Sequence, residues 1–163
     1  ADVVASPDEK HLPSLRRLIA GSGGTLCDSC DECVCAVSAK RDPGLWAERR
    51  ALALLNSRGW QCLDARWTCR YGEIDLMMIK TDRPAPRLLM VEVKARARCG
   101  LDGWGVKAFA ASKRRRLART LACWQAQHPW TERGHLEVVL ALVPLPPSDR
   151  PVRWIRVPEL LRF

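Results

Sequence analysis

The chain has 163 residues, 47% of them apolar and 28% charged, with a formal net charge of +9. This composition excludes a disordered chain. The longest uncharged apolar run, Val138 to Pro147, is far below the ~20 residues that span a bilayer. An excess of 27 basic over 18 acidic residues favours a polyanionic partner.

Charge and composition divide the chain near residue 40. Residues 1–40 hold four basic and six acidic residues, a GSGG stretch and a cysteine cluster, whereas 41–163 hold 23 basic and 12 acidic residues. The expectation is an N-terminal, flexible appendage over 1–40 and one basic domain over 41–163. No apolar signal-like core precedes it, so a cytoplasmic protein without membrane attachment is expected. Within the appendage, Cys27, Cys30, Cys33 and Cys35 form C-x2-C-x2-C-x-C. Thiolates this close can grip zinc or part of an iron–sulfur cluster. The spacing departs from both a zinc ribbon and a ferredoxin run, and the alternative is a thiol-rich tail after a glycine linker. Cys62, Cys69, Cys99 and Cys123 are scattered without ligand-like spacing and read as reduced, small, mostly buried residues.

Asp42-Pro43 predicts a helix start, with Asp as N-cap and Pro in the first turn, and Gly59 predicts its end. Leu45, Ala51, Leu52 and Leu55 mark its apolar face. Two strand-like runs follow, roughly 60–68 and 73–80, separated by Arg70-Tyr71-Gly72. A third covers 88–96 after a loop with two prolines, so the three suggest an antiparallel meander. Glycine-rich residues 100–105 precede a helix that ends near His128-Pro129. Residues 136–143 are almost wholly apolar, the mark of a strand buried on both faces. A short strand at 152–157 closes the chain. The order α-β-β-β-α-β-β predicts an α/β sandwich around a mixed sheet.

Chemistry concentrates on the second and third strands. Alternation puts Glu73 and Asp75 on one face and Ile74 and Leu76 on the other, while Glu92 and Lys94 share a face in Val91-Glu92-Val93-Lys94. If the two strands pair, three carboxylates and a lysine converge. Carboxylate oxygens suit Mg²⁺ or Mn²⁺, and a neighbouring lysine can orient water or stabilise charge on a phosphate. The competing reading is a solvated face of cross-strand Glu–Lys pairs. Glu48 falls on the apolar stripe of the first helix, and Lys113 on the stripe Val106, Ala110, Leu117, Leu121, Trp124 of the second. An inward charge needs a partner. Lys113, Arg114, Arg115, Arg116 and Arg119, with Lys94, Arg96 and Arg98, form a basic set able to neutralise backbone phosphates. Trp67, Tyr71 and Trp104 flank the region and could stack on unpaired bases. His11, His128 and His135 fit no zinc-hydrolase spacing, and there is no G-x-S-x-G, P-loop or GxGxxG.

These segments resemble the YraN family of small bacterial proteins. The resemblance rests on Ala47-Glu48, Arg70-Tyr71-Gly72-Glu73-Ile74-Asp75-Leu76, Val91-Glu92-Val93-Lys94 and Lys113, and it covers roughly residues 43–163. It implies a restriction-endonuclease-like fold and a site similar to PD-(D/E)xK nucleases and Holliday-junction resolvases. On that resemblance Asp75 and Glu92 are metal ligands, Glu48 the additional acid of the first helix, Lys94 the catalytic lysine, and Glu73 and Lys113 further site residues. Three positions depart from the family pattern. Arg66 stands where Asn is usual before the first strand's aromatic residue, Glu137 where Asp is usual, and Ala110 where a threonine caps the second helix.

The resulting expectation is an endonuclease that uses Mg²⁺ or Mn²⁺ to hydrolyse DNA, including branched or single-stranded forms. A homodimer would supply the two sites that cutting both strands needs. Two alternatives stand beside it: a non-catalytic nucleic-acid-binding module of the same fold, and a metal or thiol-redox protein centred on Cys27 to Cys35.

Overall fold

The computed structural model describes residues 39–97 and 111–158. The Cys27–Cys35 cluster, Arg98, Cys99, the glycine-rich 100–105 stretch, Trp104, Val106 and Ala110 lie outside the described residues, as do most of the appendage and 159–163.

Helix α1 (Pro43–Asn56) begins as its sequence dictates. Asp42 Oδ1 accepts the Leu45 N–H at 2.9 Å, and Pro43 occupies the first turn. The helix closes where Gly59 N–H reaches Asn56 O at 3.0 Å and Trp60 N–H reaches Leu55 O at 3.1 Å. Gly59 has φ 81°, the left-handed conformation this closure requires. Strands β1 (Gln61–Cys69), β2 (Gly72–Lys80) and β3 (Arg87–Arg96) follow, then α2 (Ala111–Gln127), a 3-10 turn (Pro129–Arg133), β4 (His135–Pro144) and β5 (Arg153–Arg156).

The sheet order is β1-β2-β3-β4-β5. β1, β2 and β3 form the expected antiparallel meander, β3 and β4 pair in parallel, and β5 returns antiparallel to β4. A parallel pair needs a long crossover, and α2 lies within it. The result is the expected α/β sandwich with a central mixed sheet. Among the described residues no helix is long and apolar enough to cross a membrane.

Each sheet face has its own helix. Leu117, Leu121 and Trp124 of α2 cover Ile74, Met77, Met90 and Leu140. Trp124 is wholly buried and donates its indole N–H to Asp64 Oδ2 at 2.6 Å, so its one polar atom is satisfied. On the other face Ala47, Ala51 and Leu55 of α1 cover Leu76, Met78, Val91 and Val93. The buried stripe of α1 therefore runs through Ala47 rather than Leu45, which is only half-buried. Small residues at Ala47 and Ala51 let the helix backbone approach the sheet closely.

Strict alternation fails at a register shift between Cys62 and Asp64 in β1, and again beside the acids of β2. Ile74 packs on the α2 face and Leu76 on the α1 face, although alternation predicts one face for both. In β1, Trp67 and Ala65 divide in the same way. Ala65 pairs with Leu76 and Trp67 with Ile74, which leaves Arg66 opposite Asp75 with no ladder pairing between them. Arg66 has φ 52°. One left-handed residue thus turns the hairpin over, and Asp75 lies in the seam between the two faces.

Candidate active site

The β2–β3 ladder runs from Lys80↔Arg87 to Leu76↔Val91 and stops. The next two residues are Asp75 and Glu92. Where a backbone carbonyl would have accepted the Val93 N–H, the Asp75 carboxylate accepts it instead, Oδ2 to N at 2.6 Å. β3 itself continues, paired with β4 as far as Arg96↔Pro144. The split therefore opens only on the β2 side, and side chains fill it.

Glu92 follows Leu88 and Met90 along the α2 face and is almost fully buried. A buried carboxylate needs charged partners. Lys94 Nζ donates to Glu92 Oε1 at 2.5 Å, and Lys113 Nζ from the first turn of α2 donates to the same oxygen. Burial works against the ammonium of Lys94, but Glu92 outweighs it and raises the pKa. Burial lowers that of Lys113, and the neighbouring ammonium of Lys94 lowers it further against the pull of Glu92. One carboxylate oxygen thus holds two lysines.

Asp75 is pushed up to about 6 by burial first and then by Glu92, against the Val93 hydrogen bond and Lys94. Glu48 reaches toward Asp75 from α1 and is raised to about 7, by burial and then by the Asp75 charge. Arg66 offsets part of that charge. Its Nε lies 3.1 Å from Glu73 Oε1 and 4.0 Å from Glu48 Oε2, and these acids hold its guanidinium charged.

A cavity of about 210 Å³ opens on the α2 side. Glu73, Asp75, Glu92, Lys94 and Lys113 all line it, so the structure brings together five of the six residues singled out in sequence. Glu48 stands behind Asp75 on the other face. Gly72, Arg116, Leu117 and Thr120 complete the wall. Gly72 and Thr120 were not foreseen. A Cβ on Gly72 would come 3.2 Å from Thr120 Oγ1, so this glycine lets the β1–β2 turn sit directly on α2. The motif glycine before Glu73 was the signal available.

The basic residues separate. Arg116 lines the cavity, Arg115 is exposed, Arg114 is half-buried, and Arg96 is the last residue of β3, two after Lys94 and not part of the cavity wall. Tyr71 is not a bare stacking surface, because Arg70 and Arg119 lie over its ring at 4.7 and 5.9 Å from the centroid. Trp67 packs against the core. Glu137 pairs with His135 at 3.4 Å and Arg156 at 3.6 Å, away from the cavity wall.

Among the described residues no three acidic, His or Cys side chains already converge to cage an ion. The donors at the split are all carboxylate oxygens, and two of them hold protons more tightly than usual. Burial first, and then the charge of the neighbouring acid, disfavours their ionised forms, and a bound cation would favour them. Mg²⁺ is commonly held by one or two carboxylates with water and substrate phosphate rather than by a protein cage. Asp75 and Glu92, with Glu48 behind them, fit that mode.

Comparison with known proteins places the chain among relatives. A model of the uncharacterised protein family UPF0102, the YraN family, matches residues 47–141. The chain is similar to a UPF0102 protein of Prochlorococcus marinus (strain MIT 9303), 52% identical over 117 residues, 72% of this chain and 90% of the relative. It is 45% identical over 118 residues to one from Parasynechococcus marenigrum (strain WH8102), 72% of this chain and 83% of the relative. A UPF0102 protein of Alkalilimnicola ehrlichii is 38% identical over 93 residues, 57% of this chain and 70% of the relative.

Proposed function

The chain belongs to the uncharacterised protein family UPF0102, and we propose that it is a metal-dependent DNA endonuclease. The observation that carries this reading is the split itself. β2 and β3 part at Asp75 and Glu92, and both acids face one cavity with Lys94 and Lys113. A structural ion-pair cluster has no reason to open the centre of a sheet.

Asp75 and Glu92, assisted by Glu48, would hold Mg²⁺ or Mn²⁺. The bound ion would supply Lewis acidity and make a water nucleophilic near neutral pH. Asp75 is fixed for its role by the Val93 N–H. Lys94, tethered to Glu92, orients the attacking water and stabilises charge on the phosphate oxygens. Lys113 and Arg116 sit on the same wall and bind the phosphate backbone, with Arg114, Arg115 and Arg96 extending that contact. Backbone contacts of this kind read charge rather than sequence.

A second reading has its own support. The Glu92 oxygen is already taken by two ammonium groups, which suits a binding module that retains the fold without turnover. Cleavage assays separate the two. The parent protein and its Lys94→Ala and Asp75→Ala variants would meet linear, single-stranded, flapped and four-way DNA with Mg²⁺ or Mn²⁺. Cleavage by the parent alone is expected, with one DNA form preferred. Equal, metal-indifferent binding by all three proteins and no cleavage would overturn the enzyme in favour of the module.

A further inference from the structure

We propose that Cys69 and Cys123 form a redox-modification site, a hydroperoxide-reactive thiol and its resolving partner, which oxidation joins into a disulfide between β1 and α2. The inference stands apart from the nuclease reading, because it rests on sulfur chemistry and on the seat of one turn against one helix.

Cys69 is the last residue of β1, and its cross-strand partner is Gly72. Gly72 lies against α2 with no side chain between. A Cβ there would meet Thr120 Oγ1 at 3.2 Å and Arg116 Nε at 3.8 Å. Cys123 follows Thr120 by three residues, so it is on the same side of the helix. Each thiol perturbs the other's proton, so the two are neighbours; neither is in a disulfide, and both are half-buried rather than sealed in the core.

Their surroundings assign the roles. Burial works against a Cys69 thiolate, but donors outweigh it and hold the thiol below its usual range. These are the N–H groups of Tyr71, at 3.4 Å from Sγ, and Gly72, with Cys123 and Thr120. Cys123 is pushed up by burial and by its sulfur neighbour. Cys62, raised to about 11 by burial and by Asp64, is the inert contrast. The Tyr71 N–H aimed at its sulfur makes Cys69 the reactive thiolate, which leaves Cys123 as the resolving thiol.

The chemistry closes without a further reagent. Cys69 sulfur attacks one oxygen of a hydroperoxide, the O–O bond breaks, and the departing alkoxide or hydroxide takes up the thiol proton. Cys123 sulfur then attacks the Cys69 sulfenic acid, the S–S bond forms, and hydroxide leaves as water with the Cys123 proton. Two thiols lose two electrons and the peroxide gains them. The seat of the β1–β2 turn on α2 brings the two thiols to one spot, where side-chain rotation must close them to the ~2 Å of a disulfide.

The test uses the full chain, reduced and then exposed to graded hydrogen peroxide. After thiol blocking, the peptides are mapped by mass spectrometry. A linked pair of peptides carrying Cys69 and Cys123, lighter by two hydrogens, is expected. In Cys123→Ser a sulfenic-acid probe should label Cys69 at least about tenfold faster than Cys62. In Cys69→Ser, Cys123 should stay blockable at the same dose. Thermal melts of both serine variants check that each is folded. Full blocking of Cys69 and Cys123 while other cysteines oxidise would overturn the proposal. So would a Cys69 link to a different cysteine, or sulfenic acid at Cys123 in the Cys69→Ser protein.

Discussion

Two halves of the same strand pair behave as different materials. From Lys80↔Arg87 to Leu76↔Val91, β2 and β3 are laddered, and Met77, Met78, Met90 and Val91 are wholly buried. One step further the ladder ends, and the same strands present Asp75, Glu92 and Lys94 to a cavity. The closed half earns its stability from apolar burial, roughly 1.5–3 kcal/mol for each fully buried side chain. The open half gives up backbone pairing and gathers like charges, which costs stability. Folding and the proposed chemistry are thus carried by adjoining residues of one hairpin, and substitutions should separate them.

The largest effect is expected in the closed half. Met90→Ala removes a wholly buried side chain that α2 covers. It should cost about 2–5 kcal/mol of unfolding free energy, read by urea denaturation. Lys94→Ala belongs to the open half and should do the reverse. The loss of cleavage should be about 10²–10³-fold, by analogy with removal of one oxyanion-stabilising group. Its melting point should barely move, because Lys113 still neutralises Glu92. A Lys94→Ala protein as unstable as Met90→Ala would break the division between the halves.

In the open half, pH gives stability and cleavage opposite slopes. Asp75 is raised from 3.8 to about 6 and Glu48 from 4.5 to about 7 in the folded chain. Both bind protons more tightly folded than unfolded. The stability these two carboxyls contribute to the metal-free protein should therefore be complete below about pH 4 and be lost as pH rises through 6 to 7. Asp75→Asn should flatten that slope and, near pH 8, stabilise the metal-free protein by about 1 kcal/mol, discounted for solvent screening. Cleavage should run the other way, falling as pH drops through 7 to 6, because a protonated carboxyl is no metal ligand. Raising Mn²⁺ should move the acid limb to lower pH. An acid limb that ignores metal concentration would detach these carboxylates from the ion.

Much of this was legible in the sequence, and the illegible part has a physical reason. Asp42-Pro43, Gly59 and the apolar 136–143 run act through local backbone rules, and the elements appear where those residues put them. Glu48 and Lys113 were visible as charges on apolar stripes, and each reaches the acids of the split. Two features were hidden. Alternation assumes a regular strand, so it could not show that Ile74 and Leu76 take opposite faces or that Asp75 lies between them. Nor could spacing reveal that Cys69 and Cys123 meet, since only the crossover of α2 brings them together. No line of the sequence marked Thr120 as part of the wall.

The smallest expected effect tests why the face change happens where it does. Arg66 is the described non-glycine residue with a left-handed φ, and it stands opposite Asp75. A bulky side chain in that region is disfavoured by roughly 1–2 kcal/mol, whereas Asn visits it more readily. The family resemblance puts Asn at this position, where the backbone turns over. Arg66→Asn should therefore relieve backbone strain and stabilise the chain by about 0.5–1 kcal/mol. It should also remove the cation that lowers the pKa of Glu48, so the acid limb of cleavage should move up. Backbone and charge thus leave separate marks, one in the melt and one in the pH profile. Arg66→Lys keeps the charge without the Asn conformational preference and should leave both near the parent. If Arg66→Asn instead destabilises the protein, the ion pairs to Glu48 and Glu73 outweigh the strain, and the turn at Asp75 is held by side-chain charge rather than tolerated by the backbone.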